Sequence, residues 1–244
     1  VDALAMLYYI ALSDSRNGMI CLGVVCAVAG LFLWFGRENR ISARRVCRGM
    51  ALAFGLFLGG VFLPKLVQLG NNALMEATGW LGQVDRGYDI YGNLESFSNR
   101  RLAEWGSAIE LGMSRPLTGV SFTGIVPYAL EHLPETYIVN NEYWITNTLE
   151  SEPFNIFAAQ GFTGLLILLV WFALAVRLFF SRVGQTPAKE RDDIALLTML
   201  VCELIVSALF QGVMFYQVTP NSVLFWASFG ALLYLLGGAE VKGA

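Results

Sequence analysis

The chain has 244 residues, 56% of them hydrophobic and 14% charged, with a formal net charge of −3 and a mean hydropathy of +0.56. A soluble domain is usually about a quarter charged, so this composition excludes the soluble globular class. The small net charge singles out no partner, and nucleic acid is not expected among them.

Val1–Leu12 is apolar but too short to cross a bilayer, which takes roughly 20 residues. With no initiator methionine and no basic leader it reads as the tail of a helix whose start is missing, and the chain as a C-terminal fragment. Five longer apolar runs follow: Met19–Phe35, Met50–Leu63, Phe154–Phe180, Ile194–Phe215 and Val223–Leu236. The expected fold is an all-α polytopic membrane protein. It has about five full transmembrane helices, a partial N-terminal one and a large extracytoplasmic loop containing helices. Residues 1–70 form the N-terminal membrane helices, 71–153 the loop, and 154–244 the C-terminal membrane helices.

Two short connectors set the orientation. Gly36–Arg48 carries Arg37, Arg40, Arg44, Arg45 and Arg48, and Ser181–Asp193 carries Arg182, Lys189 and Arg191. Short Lys/Arg-rich loops stay cytoplasmic. Two spans lie between the connectors, so the segment joining those spans is extracytoplasmic, as are the Ser13–Asn17 turn and Tyr216–Ser222; the Lys242 tail is inside. Pro64 disfavours helix at the residue before it and can kink the chain, Lys65 can snorkel to the outer interface, and Val67–Leu81 continues as an interfacial segment.

The outer segment Asn71–Glu150 is acidic, yet it carries Arg86, Arg100, Arg101 and Arg115 and no lysine. The guanidinium fork suits phosphate better than an ammonium point charge. Between membrane helices, the natural anionic ligand is a lipid carrying phosphate. Within the segment, Asn99–Met113 has helical spacing, with Leu102, Trp105, Ile109 and Met113 on one face; Arg115-Pro116 ends it and Gly119 supplies a turn. Arg100 and Arg101 stand at the start of that helix, where free N–H groups favour an anion; salt bridges to Glu95 or Glu104 fit equally. Arg16, in SDSRNG, fits a snorkelling arginine or a phosphate ligand. Arg86 belongs to no recognisable motif.

Glu150 and Glu152 lie where the loop returns to the membrane before Pro153. Carboxylates at such a boundary can serve as general bases, although the residues alone favour acids at a helix start. Glu203 sits mid-run with Ser207 and Gln211 at i+4 and i+8, a polar stripe suited to interhelical hydrogen bonding, or to a proton-coupled transporter. His132 reads as an ordinary loop histidine, with no second histidine or cysteine to build a zinc site. Tyr128, Tyr137, Tyr143 and Trp144 fit an interfacial belt or sugar stacking. Cys21, Cys26, Cys47 and Cys202 read as small buried hydrophobes, neither disulfides nor metal ligands. No cofactor and no metal is expected.

Several stretches, taken together, resemble the C-terminal half of the O-antigen ligase/polymerase superfamily of bacterial membrane glycan transferases. SDSRNG resembles its Ser-Arg-x-Gly turn, Arg101 to Trp105 its Arg-x-x-x-Trp, and RPLTGVSF its His-Pro-Leu-x-Gly-x-Gly, with Ser121 in place of the second glycine. Glu150-SEPFNIFAAQ-Gly161-FT-Gly164 resembles its His-Asn, apolar run and Gly-x-x-Gly. The resemblance covers nearly the whole chain. It implies an enzyme of the bacterial inner membrane, with its site facing the periplasm or exterior. Its donor would be a glycan linked to polyprenyl diphosphate, its acceptor a glycan or glycolipid, and the bilayer its setting. Arg16 and Arg101 then hold the diphosphate, with Arg100, Arg115 and Trp105 as further substrate-binding residues, and Glu150 stands where ligases carry their activating histidine. Relatives that polymerise vary at that position, so the resemblance implies a polymerase that needs no metal. The alternatives are a ligase acting on a lipid A-core acceptor, a transporter or flippase subunit, and a non-catalytic scaffold.

Overall fold

A computed structural model describes residues 7–11, 15–35, 43–78, 100–141, 149–212, 214–215 and 217–237. Arg37, Arg40, Arg86, Glu95, Tyr143, Trp144, Tyr216 and Lys242 lie outside the described residues. The helices are α1 (Arg16–Phe35), α2 (Ala43–Thr78), α3 (Arg101–Ser114), α4 (Ile125–His132), α5 (Glu152–Arg182), α6 (Arg191–Ala208) and α7 (Pro220–Gly237). Two short 3-10 turns, Val183–Gln185 and Ala188–Glu190, join α5 to α6. There is no strand among the described residues. Among the described residues four helices, α1, α2, α5 and α7, are long and apolar enough to cross a membrane. The protein is an all-α polytopic membrane protein.

Three expected runs change shape. Pro64 does not interrupt α2, which continues through it as one helix of 36 residues to Thr78. The proline leaves one acceptor, the Gly60 carbonyl, without its intrahelical donor. Ending the helix there would unpair several backbone groups in an apolar medium, which costs more. The Ile194–Phe215 run stops being helical at Ala208, so Gln211 lies beyond the helix that carries Glu203 and Ser207. That helix also holds Arg191, Asp192 and Asp193 in its first turn, which with Glu203 puts four charged residues in 18, denser than in α1, α2, α5 or α7. The Phe154–Phe180 run is divided at Gly161, whose φ of 62° and ψ of −155° lie in a region that essentially only glycine occupies. Before the break, Ile156, Phe157, Ala158 and Ala159 are buried; after it, Leu166, Ile167, Leu169 and Leu174 are exposed. Residues 162–180 span roughly 28 Å at the helical rise, close to the thickness of a hydrocarbon core.

Two compact units divide the chain. The first comprises Val1–Gly87, Pro187–Ser207 and Ser228–Leu235. In it α1 and α2 meet through glycines. A Cβ on Gly60 would come within 2.6 Å of the Gly23 Cα, and one on Gly30 within 2.3 Å of Leu56. The partner number falls as the α1 number rises, so the two helices run antiparallel, and missing side chains let their backbones touch. Asn17 Nδ2 donates to Ser207 Oγ at 3.2 Å and Cys21 Sγ to the Glu203 carbonyl at 3.8 Å, tying α1 to α6. Lys65 Nζ donates to the buried Gln68 Oε1 at 2.5 Å.

The second unit comprises Tyr88–Thr186, Ala208–Ala227 and Leu236–Ala244. Its core gathers Ala108 and Leu111 of α3, Val120, Ile125 and Ala129, then Ile138, Leu149, Ala158 and Ala159. α3 packs directly on the first part of α5: a Cβ on Gly112 would stand 2.4 Å from the Phe157 ring, and Trp105 stacks on Phe154 with centroids 5.0 Å apart. Of the four cysteines, all unbridged, only Cys21 is buried as expected; Cys26 and Cys202 are half-buried, and Cys47, near the start of α2, is exposed.

Candidate active site

The break in α5 shapes the site. An unbroken helix would send the Phe162 N–H to the Ala158 carbonyl. Here that N–H donates to Pro116 O at 2.7 Å, while the Ala158 and Ala159 carbonyls accept from Val120 N and Ser121 N, each at 2.9 Å. The RPLTGVS loop therefore supplies the partners the helix lacks. The approach is close enough that glycine is required on both sides. A Cβ on Gly119 (φ 63°) would stand 2.3 Å from Ala159 C, and one on Gly161 2.3 Å from Pro116 O. Ser121 sits at φ 66°, which explains why the resembling motif has glycine there. Its Oγ accepts from Gly124 N at 3.1 Å, part compensation for the left-handed backbone.

Upstream of the break, the first turn of α5 is anchored by buried polar groups. Glu152, 2% exposed, accepts from the backbone N–H groups of Met214 and Phe215, the latter at 3.1 Å. Asn155 Oδ1 accepts from Leu149 N at 3.1 Å. These two clasps fix the short stretch that carries Glu150. Glu150 is not itself in the helix: Ser151 is the N-cap, and Glu150 precedes it at φ 46°. The acid in the first turn is Glu152.

Held in this way, Glu150 meets the start of α3, where Arg101 NH2 lies 4.0 Å from Glu150 Oε2, with both side chains partly exposed. Arg100 precedes Arg101 at the cap position, with φ 65°. Glu104, one turn along α3, is 9% exposed, and its Oε2 has no hydrogen-bond partner among the described residues. Burial pushes its carboxyl up to about 7; the nearby Glu150 charge adds to the rise and Arg101 opposes it. Trp105 Nε1 is likewise buried without a partner among the described residues.

Among the residues singled out from the sequence, the second unit thus gathers Arg101 and Glu150, with Arg100 and Trp105 beside Arg101 in the chain. Arg115 is at the other end of α3, roughly 20 Å along its axis, with its guanidinium 5.1 Å from the Tyr128 ring centroid. Arg16 opens α1 in the first unit. His132 is exposed, pairing with Glu131 and lying against Tyr128. Glu104 was named only as a salt-bridge partner of the arginines and Glu152 only as a boundary acid; the burial of the first and the clasp made by the second were not foreseen. The i+3 spacing from Arg101 to Glu104 was the available signal; nothing local foretold the amides of Met214 and Phe215.

A cation and two carboxylates beside a membrane helix can hold a phosphate-bearing group and accept a proton from a hydroxyl. No curated protein and no solved structure matches the chain. The model of the family described as O-antigen ligase matches residues 3–169. That stretch contains α1 to α4, the break in α5, and Arg16, Arg101 and Glu150. The chain belongs to the O-antigen ligase family, and is a multi-pass bacterial membrane protein of ligase/polymerase type.

Proposed function

We propose that the protein transfers a glycan from a polyprenyl diphosphate carrier to a sugar hydroxyl during surface polysaccharide assembly, as a polymerase does. The observation that carries this reading is the pairing of Arg101 with Glu150 at 4.0 Å, across a long stretch of chain, between the start of α3 and the residue before the cap of α5, two helices packed together at Gly112 and Phe157. Arg101, with Arg100 beside it, would neutralise the charge that grows on the departing diphosphate. Glu150 would take the proton of the acceptor hydroxyl as its oxygen attacks the anomeric carbon. The sugar–phosphate bond breaks as the glycosidic bond forms, and the polyprenyl diphosphate leaves. The site would face the exterior, where the two basic connectors leave it.

The family's description favours a second reading, transfer to a lipid A-core acceptor, whereas Glu150 in place of the ligase histidine favours the first. Both are tested by supplying reconstituted protein with a prenyl diphosphate-linked repeat unit, with and without lipid A-core. A ladder of glycan lengths without added lipid supports polymerisation. Product only on lipid A-core would replace it by ligation. Proton-dependent uptake with no transfer would replace both by a transporter, the reading to which Glu203 belongs.

A further inference from the structure

Glu104 is a buried acid beside Arg101 that the reaction above leaves unused. It lies one turn from Arg101 on α3, so the two occupy neighbouring positions on the helix surface. It is nine-tenths buried, and its Oε2 has no hydrogen-bond partner among the described residues. The charged groups acting on it are Glu150, just ahead of the helix packed against α3, and Arg101 on α3 itself. Arg101 therefore pairs with a partly exposed carboxylate, Glu150, and acts electrostatically on an enclosed one, Glu104.

We propose that Glu104 is a positioning residue that takes up one proton from solvent when a diphosphate occupies Arg101, making donor binding proton-linked. This rests on the assignment of Arg101 to the donor diphosphate. A bound diphosphate brings negative charge to the arginine that steadies the Glu104 carboxylate. An enclosed carboxylate with a weakened cation and added like charge is relieved by protonation. Neutral Glu104 then leaves the guanidinium to the diphosphate and Glu150, and an enclosed carboxyl with an unpartnered oxygen costs less uncharged than charged. No bond in the donor breaks in this step. The carboxyl stands at about 7 before binding, so the uptake falls at neutral and mildly alkaline pH.

The sign follows from linkage: a ligand whose binding takes up a proton binds more tightly as pH falls, by at most about tenfold per pH unit for one proton. The probe is farnesyl diphosphate esterified at its far phosphate with N-acetylglucosamine, in which neither phosphate titrates near neutrality. With wild-type protein in detergent, affinity is expected to weaken on the order of tenfold between pH 6 and 8.5. Calorimetry at pH 7.5 in buffers of different ionisation enthalpy is expected to report net proton uptake. Glu104→Gln is expected to bind the probe with little pH dependence and no uptake. Binding by Glu104→Gln with the wild-type pH slope would overturn the proposal and leave the diphosphate site standing. Wild-type binding without proton uptake would overturn it even if the variant failed to fold. Absence of binding at every pH, with Arg101→Ala no different, would overturn the underlying assignment as well.

Discussion

At the scale of single residues, the roles proposed for Arg101 and Glu150 each make a distinct prediction. Arg101→Ala is expected to lower glycan transfer on the order of 10²–10³-fold, the usual scale for losing one charge-stabilising donor, in protein that still inserts. Arg101→Lys should recover little of it, since lysine lacks the fork. Arg115→Ala, at the distant end of α3, should cost far less in the same assay. Glu150→Gln is expected to lower transfer about 10²-fold or more while probe binding persists; unchanged turnover would remove Glu150 as the base. Glu104 adds a stability prediction. Its carboxyl rises from the ordinary 4.5 to about 7 in the folded chain, so the fold binds a proton the unfolded chain releases. Stability is then full below about 4.5 and declines as pH rises to about 7. Thermal unfolding of Glu104→Gln should lie above wild type at pH 8.5 and match it near pH 4.5. Arg101 and Glu150 were legible because each falls in a recognisable motif. For Glu104 the spacing from Arg101 was readable, but its burial was not, because burial is set by tertiary packing that local spacing does not carry.

At the scale of elements, the break in α5 and the loop that repairs it behave as one part. Gly161→Ala meets both a backbone region costing on the order of 1–3 kcal/mol and the Pro116 carbonyl at 2.3 Å. It should lower the unfolding midpoint in detergent more than Gly164→Ala, which meets the Gln160 Cβ at 2.5 Å but no backbone atom and no left-handed backbone. At Ser121 glycine should be tolerated, whereas valine should cost about 1–2 kcal/mol from the left-handed backbone. Glu152→Gln should weaken the clasp on Met214 and Phe215 by about 1–3 kcal/mol, the scale for disturbing buried charge-assisted hydrogen bonds. The helix over Asn99–Met113 was readable from its apolar spacing and is found at Arg101–Ser114. The break was half readable: Gly161 stood in a motif, but hydropathy ran on through it, because residues packed against α3 are as apolar as residues facing lipid. The end of α6 at Ala208 was hidden for the same reason, since Leu209 and Phe210 continue the apolar run.

At the scale of the whole molecule, the class followed from composition alone: 14% charge in blocks of spanning length leaves few alternatives to a helical membrane protein. The number of spans was less legible, because α6 mixes four charged residues with an apolar body. Orientation is a proposal from the positive-inside rule and is directly measurable. A cysteine at the exposed Thr123, in a background without Cys21, Cys26, Cys47 and Cys202, should react with a membrane-impermeant maleimide in intact cells whose outer envelope is permeabilised. Reaction only after the inner membrane is lysed would reverse the orientation and move the proposed site to the cytoplasm.

The exchange of backbone partners between Pro116–Ser121 and Ala158–Phe162 also bears on which changes the chain can absorb. Leu117 and Thr118 are exposed, and no hydrogen bond across the join depends on their identity. Those bonds depend instead on how many residues separate Pro116 from Val120. The join resembles a splice in a rope: its strands can be recoloured freely but not shortened. Deleting one of these two residues should therefore damage the protein more than any substitution at either.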